Sequence, residues 1–181
     1  MVIDSNIWAE VSRGNKKAYS ELYRYLYRKL YNYGAKFTEK HVILEDAIQE
    51  TLLLVWNNRA IIRTLTYAET YFYSTFRNVL LQRLQQYEVQ TDKIVEATDL
   101  EFNIEQIIIR NEHDLELKRR LEDSIKGLTS RQREVIYLRF YEGLSYEKVG
   151  AVLGITTKAT YKIVARALER LKEIMLFGFM I

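Results

Sequence analysis

The residues with most to offer chemically in this chain are cationic and aromatic, and their spacing fits a nucleic acid better than a reacting substrate. Lys158, Tyr161, Lys162, Ala165, Glu169 and Lys172 share one side of a helical repeat, with Arg166 on its flank. A helix entering a major groove presents its first turns to base edges, so Thr157, Lys158, Tyr161 and Lys162 are the base-reading candidates. Arg139, Tyr146, Lys148 and Arg166 are placed to hold phosphates and fix register. A second group begins with the rings Tyr67, Tyr71, Phe72, Tyr73 and Phe76 and continues with Arg77, Asn78 and Arg83. Rings can stack on unpaired bases while the cations follow the strand, which marks Tyr71, Tyr73, Arg77, Asn78 and Arg83; core packing is the default for most of the rings. The carboxylates Asp46 and Glu50 have no His, Cys or Ser companion, and His41 and His113 are far apart in sequence, a poor basis for catalysis. No catalytic residue, metal ligand set or cofactor is assigned.

The elements that must position these residues are punctuated clearly from Leu128 to Glu173. Thr129 with Gln132 forms a capping box, so a helix begins near Ser130; Val135, Ile136, Leu138 and Phe140 lie mainly on one side of it, and it stops at Glu142-Gly143. Ser145 starts a short helix with Glu147 in its first turn and a buried stripe of Val149, Val152 and Leu153. Gly154 supplies a left-handed stop and Thr156 caps the next helix, whose Ile163, Val164, Ala167, Leu168, Leu171 and Ile174 face the core. A short helix, a tight turn and a longer basic helix make a helix-turn-helix. The competing reading is an αα-hairpin whose basic residues are only a solvated face.

From Asn15 to Gln86 the pattern is again helical. Tyr19, Tyr23, Tyr27 and Tyr31 recur at i, i+4 beside Leu22, Leu26 and Leu30, a stripe read as helix-packing core with some hydroxyls reaching water. In Leu44–Trp56, Ala47, Thr51, Leu54 and Val55 form a buried side, while Asp46, Gln49, Glu50 and Leu53 share another. That second stripe suits a protein partner carrying Arg or Lys, or is simply solvated; the residues alone leave both open. Asn57 to Thr66 reads as a loop.

Composition sets the frame. The 181 residues are 48% hydrophobic, with no Pro, no Cys and 7 Gly, which favours long helices and excludes disulfides and thiolate metal sites. The start carries acids where a signal peptide needs bases, and no run approaches the roughly 18 apolar residues of a membrane helix, so a soluble cytoplasmic protein without membrane insertion is expected. Lys/Arg against Asp/Glu number 12 to 8 in residues 1–87, 2 to 7 in 88–112, and 13 to 9 in 113–181. Two basic ends around an acidic middle suggest two nucleic-acid surfaces and a linker that avoids them; ordinary surface variation is the alternative. The expected fold is all-α: a domain at 1–87, a linker at 88–112, and a helix-turn-helix domain at 113–181.

Over about residues 8–175 the two halves together resemble a bacterial RNA polymerase sigma factor of the extracytoplasmic-function (ECF) type. AYSELYRYLYRKLYNYGAKF, EDAIQETLLLVW and YFYSTFRNVLLQRL resemble conserved region 2, and LTSRQREVIYLRFYEGLSYEKVGAVLGITTKATYKIVARALERL resembles conserved region 4. The resemblance implies that Asp46, Gln49, Glu50 and the neighbouring Leu53 dock core RNA polymerase. It implies that the stretch from Asn58 to Arg83 captures the non-template strand of the −10 promoter element, and that the Thr157–Lys172 helix reads the −35 duplex. It also implies that the acidic segment threads polymerase channels that otherwise hold nucleic acid, and that an anti-sigma factor is a candidate partner. Two positions depart from the family pattern. Thr129 stands where many members have Pro, and Tyr161 where many have Lys or Arg; the second matters for base preference, as does Ala165 with its methyl-sized contact. The apolar tail Leu176–Ile181 is read as a cover for the last helix, with a docking peptide as the alternative.

Overall fold

A computed structural model describes residues 6–90 and 124–177, all of them in helices, turns and short connections with no strand. The chain divides into two compact units, Met1–Thr98 and Asp99–Ile181. Residues 91–112 of the expected acidic linker and 178–181 of the apolar tail lie outside the described residues, as do the side chains of Ile174, Leu176 and Phe177.

In the first unit a short helix α1 (Asn6–Ser12) precedes α2 (Lys16–Gly34). Asn15 caps α2, its side-chain oxygen accepting from the amides of Lys17 at 2.9 Å and Ala18 at 3.2 Å. Ala18, Leu22, Leu26, Leu30 and Tyr33 are buried along one stripe. The tyrosines expected in that core lie one residue further round and are only half-buried. Leucines carry the same period without a hydroxyl to satisfy, so they take the interior and the tyrosines form its flank. Tyr23, Tyr27 and Tyr31 stack along the helix at 6.0 and 6.2 Å. Tyr19 packs its ring 4.6 Å from Trp56 and donates its hydroxyl to the carbonyl of Leu52 at 2.5 Å.

Helix α3 (His41–Asn57) buries Leu44, Ala47, Ile48, Thr51, Leu52 and Val55. Leu54, expected inside, is 38% exposed; the buried arc is centred on Ile48 and Leu52, which turns Leu54 outward. The expected loop after α3 contains a 3-10 turn, Arg59–Thr64, anchored by buried Ile62. Arg59 lies over the Trp56 ring at 4.7 Å and donates to the Trp56 carbonyl at 3.0 Å. Helix α4 (Ala68–Gln90) packs most extensively against α3 and inserts Phe72, Tyr73, Phe76, Leu80 and Leu84. It runs to Gln90, three residues past the expected domain boundary.

The second unit is shaped by its caps. Thr129 and Gln132 close the expected capping box on α5 (Ser130–Ile136). A π-helical turn, Tyr137–Tyr141, then widens the helix, closed by the Glu142 amide on the Tyr137 carbonyl at 3.1 Å. One extra residue in a turn swings the later side chains by about 100°, so Phe140, expected inside, is 56% exposed; Tyr137, at the start of the turn, is buried. Ser145 caps α6 (Tyr146–Leu153), Gly154 ends it at φ 65°, and Thr156 accepts from the Ala159 amide at 3.2 Å to cap α7 (Thr157–Phe177). Thr160, Val164 and Ala167 are the buried face of α7, while Leu168 is 46% exposed rather than internal. The two helices meet at Gly150, where a Cβ would stand 2.8 Å from the Ile155 carbonyl oxygen.

Burial pushes the Tyr19 hydroxyl up to about 12, with Tyr23 adding to the rise, and raises Tyr137 in the same direction with Glu142 beside it. Below pH 10 both are neutral in the folded and the unfolded chain. Above it the unfolded chain loses these protons while the fold keeps them, so stability falls as pH rises from 10 through 12. Denaturant titrations at pH 9, 10 and 11 should show this decline, and Tyr19→Phe should flatten its share; an equally steep decline in Tyr19→Phe would contradict the assignment.

Candidate nucleic-acid and polymerase interfaces

The outer side of α3 is made by what its core does not need. Asp46, Gln49 and Leu53 are exposed, Leu53 at 63%, and Glu50 is half-buried between them and α4. The helix therefore presents a stripe of one apolar and several polar groups, as its spacing indicated.

Arg83 of α4 closes on this stripe. Its Nε and Nη2 donate to one oxygen of Glu50 at 2.8 and 2.6 Å, and its Nη1 lies 3.7 Å from Asp46. A residue expected on DNA and two expected on polymerase thus share one half-exposed ion-pair cluster. No sequence spacing reveals such a pair, since the partners are 33 residues apart.

The aromatic run of α4 sorts by face. Tyr73 is fully buried, edge-on to Tyr33 at 5.6 Å, so it cannot reach a DNA strand in this fold. It belongs to the core because positions 72, 73, 76 and 80 share the buried face of α4, where Phe72 meets Trp8 of α1 at 5.4 Å and Tyr73 meets Tyr33 of α2. Tyr71 is half-buried with its edge on Phe72, Arg77 is half-buried, and Asn78 is exposed. The ring of this run most open to solvent is Tyr67, 40% exposed just ahead of the helix; its place before the helix start was the available signal.

In the second unit the start of α7 carries the candidates outward. Lys158, Tyr161, Lys162, Ala165 and Arg166 are exposed and Thr157 is half-buried. Tyr161 does not stand alone. Its ring stacks on Tyr146, the first residue of α6, with centroids 3.9 Å apart and planes 19° from parallel. The Arg139 guanidinium lies over the same Tyr146 ring at 4.9 Å and donates to the Leu144 carbonyl at 3.3 Å. Arg139 and Tyr146, expected on phosphates, thus form a stack with Tyr161 of α7. The Glu147 carboxylate beside them sits below its ordinary range, chiefly through the Ser145 hydroxyl. Lys148 is half-buried in the first turn of α6.

Among the described residues no group of His, Asp and Glu is arranged to hold a metal ion, and no helix is long and apolar enough to cross a membrane. One unit is thus a helix-turn-helix with a basic outer face, and the other is a helical unit with an acidic-apolar stripe. The family model for Sigma-70 region 2 matches residues 22–88 and that for Sigma-70, region 4 matches residues 124–173. The ECF RNA polymerase sigma factor SigL of Mycobacterium tuberculosis is 29% identical over 165 residues, covering 86% of this chain and 92% of that protein. The fold matches the sigma factor RpoE co-crystallised with the anti-sigma factor NepR from Bartonella quintana, with a TM-score of 0.61, 20% identity, and 88% and 97% of the two chains covered. It also matches CnrH in complex with the cytosolic domain of CnrY, with a TM-score of 0.57, 16% identity, and 93% and 94% covered. The chain belongs to the sigma-70 family of RNA polymerase sigma factors, in its ECF group, and is a DNA-binding transcription-initiation factor.

The Arg83–Glu50 cluster should behave as a partly solvated pair. A double-mutant cycle of Arg83→Ala and Glu50→Ala, read by urea unfolding, should give a coupling below about 1 kcal/mol that fades in 1 M salt. A larger, salt-independent coupling would show that the pair is a structural pillar instead.

Proposed function

We propose that this sigma factor binds core RNA polymerase through the outer face of α3, reads the −35 duplex with the start of α7, and opens −10 DNA with the surface from Asn58 to Arg83. The observation that carries this reading is the outward set Lys158, Tyr161, Lys162 and Arg166 on a capped helix-turn-helix. Lysine and arginine neutralise phosphates in any sequence, and the side chains of the first turns select among sequences. On the first unit, Tyr67 and Tyr71 offer ring faces and Asn78 a polar edge for a displaced strand. Unstacking a base costs a few kcal/mol, and stacking with cationic contacts can offset it. Core polymerase is the partner of α3, with Leu53 entering an apolar hollow and Asp46 and Gln49 meeting basic residues around it. The chain itself carries no catalytic residue in this reading, and it works in the cytoplasm, where polymerase and promoters are. The RpoE and CnrH structures are both complexes with a second protein, an anti-sigma factor in the RpoE case, and a partner of that kind is proposed here as well.

Run-off transcription with purified core polymerase and genomic promoter fragments tests the whole reading. The chain should give discrete start sites; no promoter-specific transcript across a range of salt would overturn it. Leu53→Asp is a cleaner probe of polymerase docking than a charge reversal at Glu50, which would place a cation against Arg83. Leu53→Asp should weaken core binding by about tenfold or more while leaving the unfolding curve unchanged. Unchanged core binding would remove α3 from the interface. Lys162→Ala should lower −35 affinity; if Lys162 reads a base, sequence preference changes with it, and if it holds a phosphate the salt slope falls by about one.

A further inference from the structure

Tyr161 occupies the place on α7 from which a base edge is reached, and its surroundings restrict what it can recognise. The ring is 51% exposed yet fixed by its stack on Tyr146 at 3.9 Å, which in turn lies under the Arg139 guanidinium. One face of the ring is taken by Tyr146, so the ring is held in one orientation and offers its other face, its edge and one hydroxyl. One turn further on, exposed Ala165 offers a methyl group. Neither side chain can make the paired donor contacts that identify guanine, and neither has the amide that identifies adenine. Side by side they form a small apolar step between Lys158, Lys162 and Arg166.

The base feature complementary to such a step is the C5-methyl of thymine, the one apolar group displayed in the major groove. We infer that Tyr161 and Ala165 form a thymine-methyl contact that sets base preference at one pair of the −35 element, with Tyr146 and Arg139 as positioning residues. This rests on the proposal that α7 reads the −35 duplex. Tyr146 gives the contact its rigidity: a free tyrosine would adapt to several bases, whereas a stacked one fits a methyl at one height. Lys158, Lys162 and Arg166 supply affinity around the step without distinguishing thymine from uracil.

The test uses the full chain. Duplexes enriched by it from a random library are compared with those enriched by Tyr161→Arg, which places a guanine-reading group at the same spot. The pair whose preference moves toward G·C in the variant is the pair that Tyr161 faces. In the wild-type motif that pair should be A·T, and replacing its thymidine by deoxyuridine should lower affinity about fourfold, the effect of one buried methyl-sized group. The uridine penalty should persist in Tyr161→Phe and Tyr146→Phe, and shrink below about twofold in Tyr161→Ala and Tyr146→Ala, where the ring or its support is gone. A G·C preference at that pair in the wild type, or an equal uridine penalty in Tyr161→Ala, overturns the methyl contact while leaving duplex reading intact. No enrichment of any sequence overturns duplex reading by α7 itself, and the inference with it.

Discussion

At Gly34 helix α2 comes so close to α3 and α4 that a single methyl group would stand 2.6 Å from the Phe76 ring and against Leu44. The first unit is organised around this approach. Tyr33, Tyr73 and Phe76 fill the volume beside it with rings 5.6 to 6.2 Å apart, and the leucines of α2 continue the contact along the helix. Burying each such side chain contributes about 1.5–3 kcal/mol, which is what a small domain without disulfides has to work with. The same close approach decides which groups remain outside. Because α3 turns Ile48 and Leu52 inward, Asp46, Gln49 and Leu53 must face out.

The second unit solves the same problem with punctuation. Thr129, Ser145 and Thr156 satisfy amides at three helix starts, and Gly154 lets the chain reverse between α6 and α7. Gly150 leaves just enough room for the turn carbonyl of Ile155 to pass. Helix α7 is thereby held by its buried Thr160, Val164 and Ala167 and by a ring stack at its start, so its outer residues stand in fixed positions. Fixed groups lose less entropy on binding than mobile ones, and this applies with most force to the exposed Tyr161.

Much of this was legible in the chain because it depends on local rules. Caps, glycine stops and the helical period marked α5, α6 and α7 and the outward face of α7, and the same period marked the outer stripe of α3. What was not legible depends on geometry between elements or on a local departure from the period. The π-helical turn moved Phe140 outward, since one added residue rotates everything after it. Leucine competed with tyrosine for the interior of α2, and a ring count could not decide which stripe would win. Tyr73 sits among DNA-reading candidates in sequence yet belongs to the core. The pairing of Arg83 with Glu50 joins positions 33 residues apart: the cation expected on a DNA strand and the carboxylate expected on polymerase contact each other.

In the proposed mode of action two helical units of one chain grip one promoter, one on duplex and the other on an opened strand. Permanganate reactivity of thymines in a promoter fragment reports strand opening directly. With core polymerase and this chain, reactive thymines should appear over a short stretch upstream of the start site and vanish when the −35 duplex is scrambled. Protection of −35 DNA without any reactive thymine, or reactivity with core polymerase alone, would contradict it.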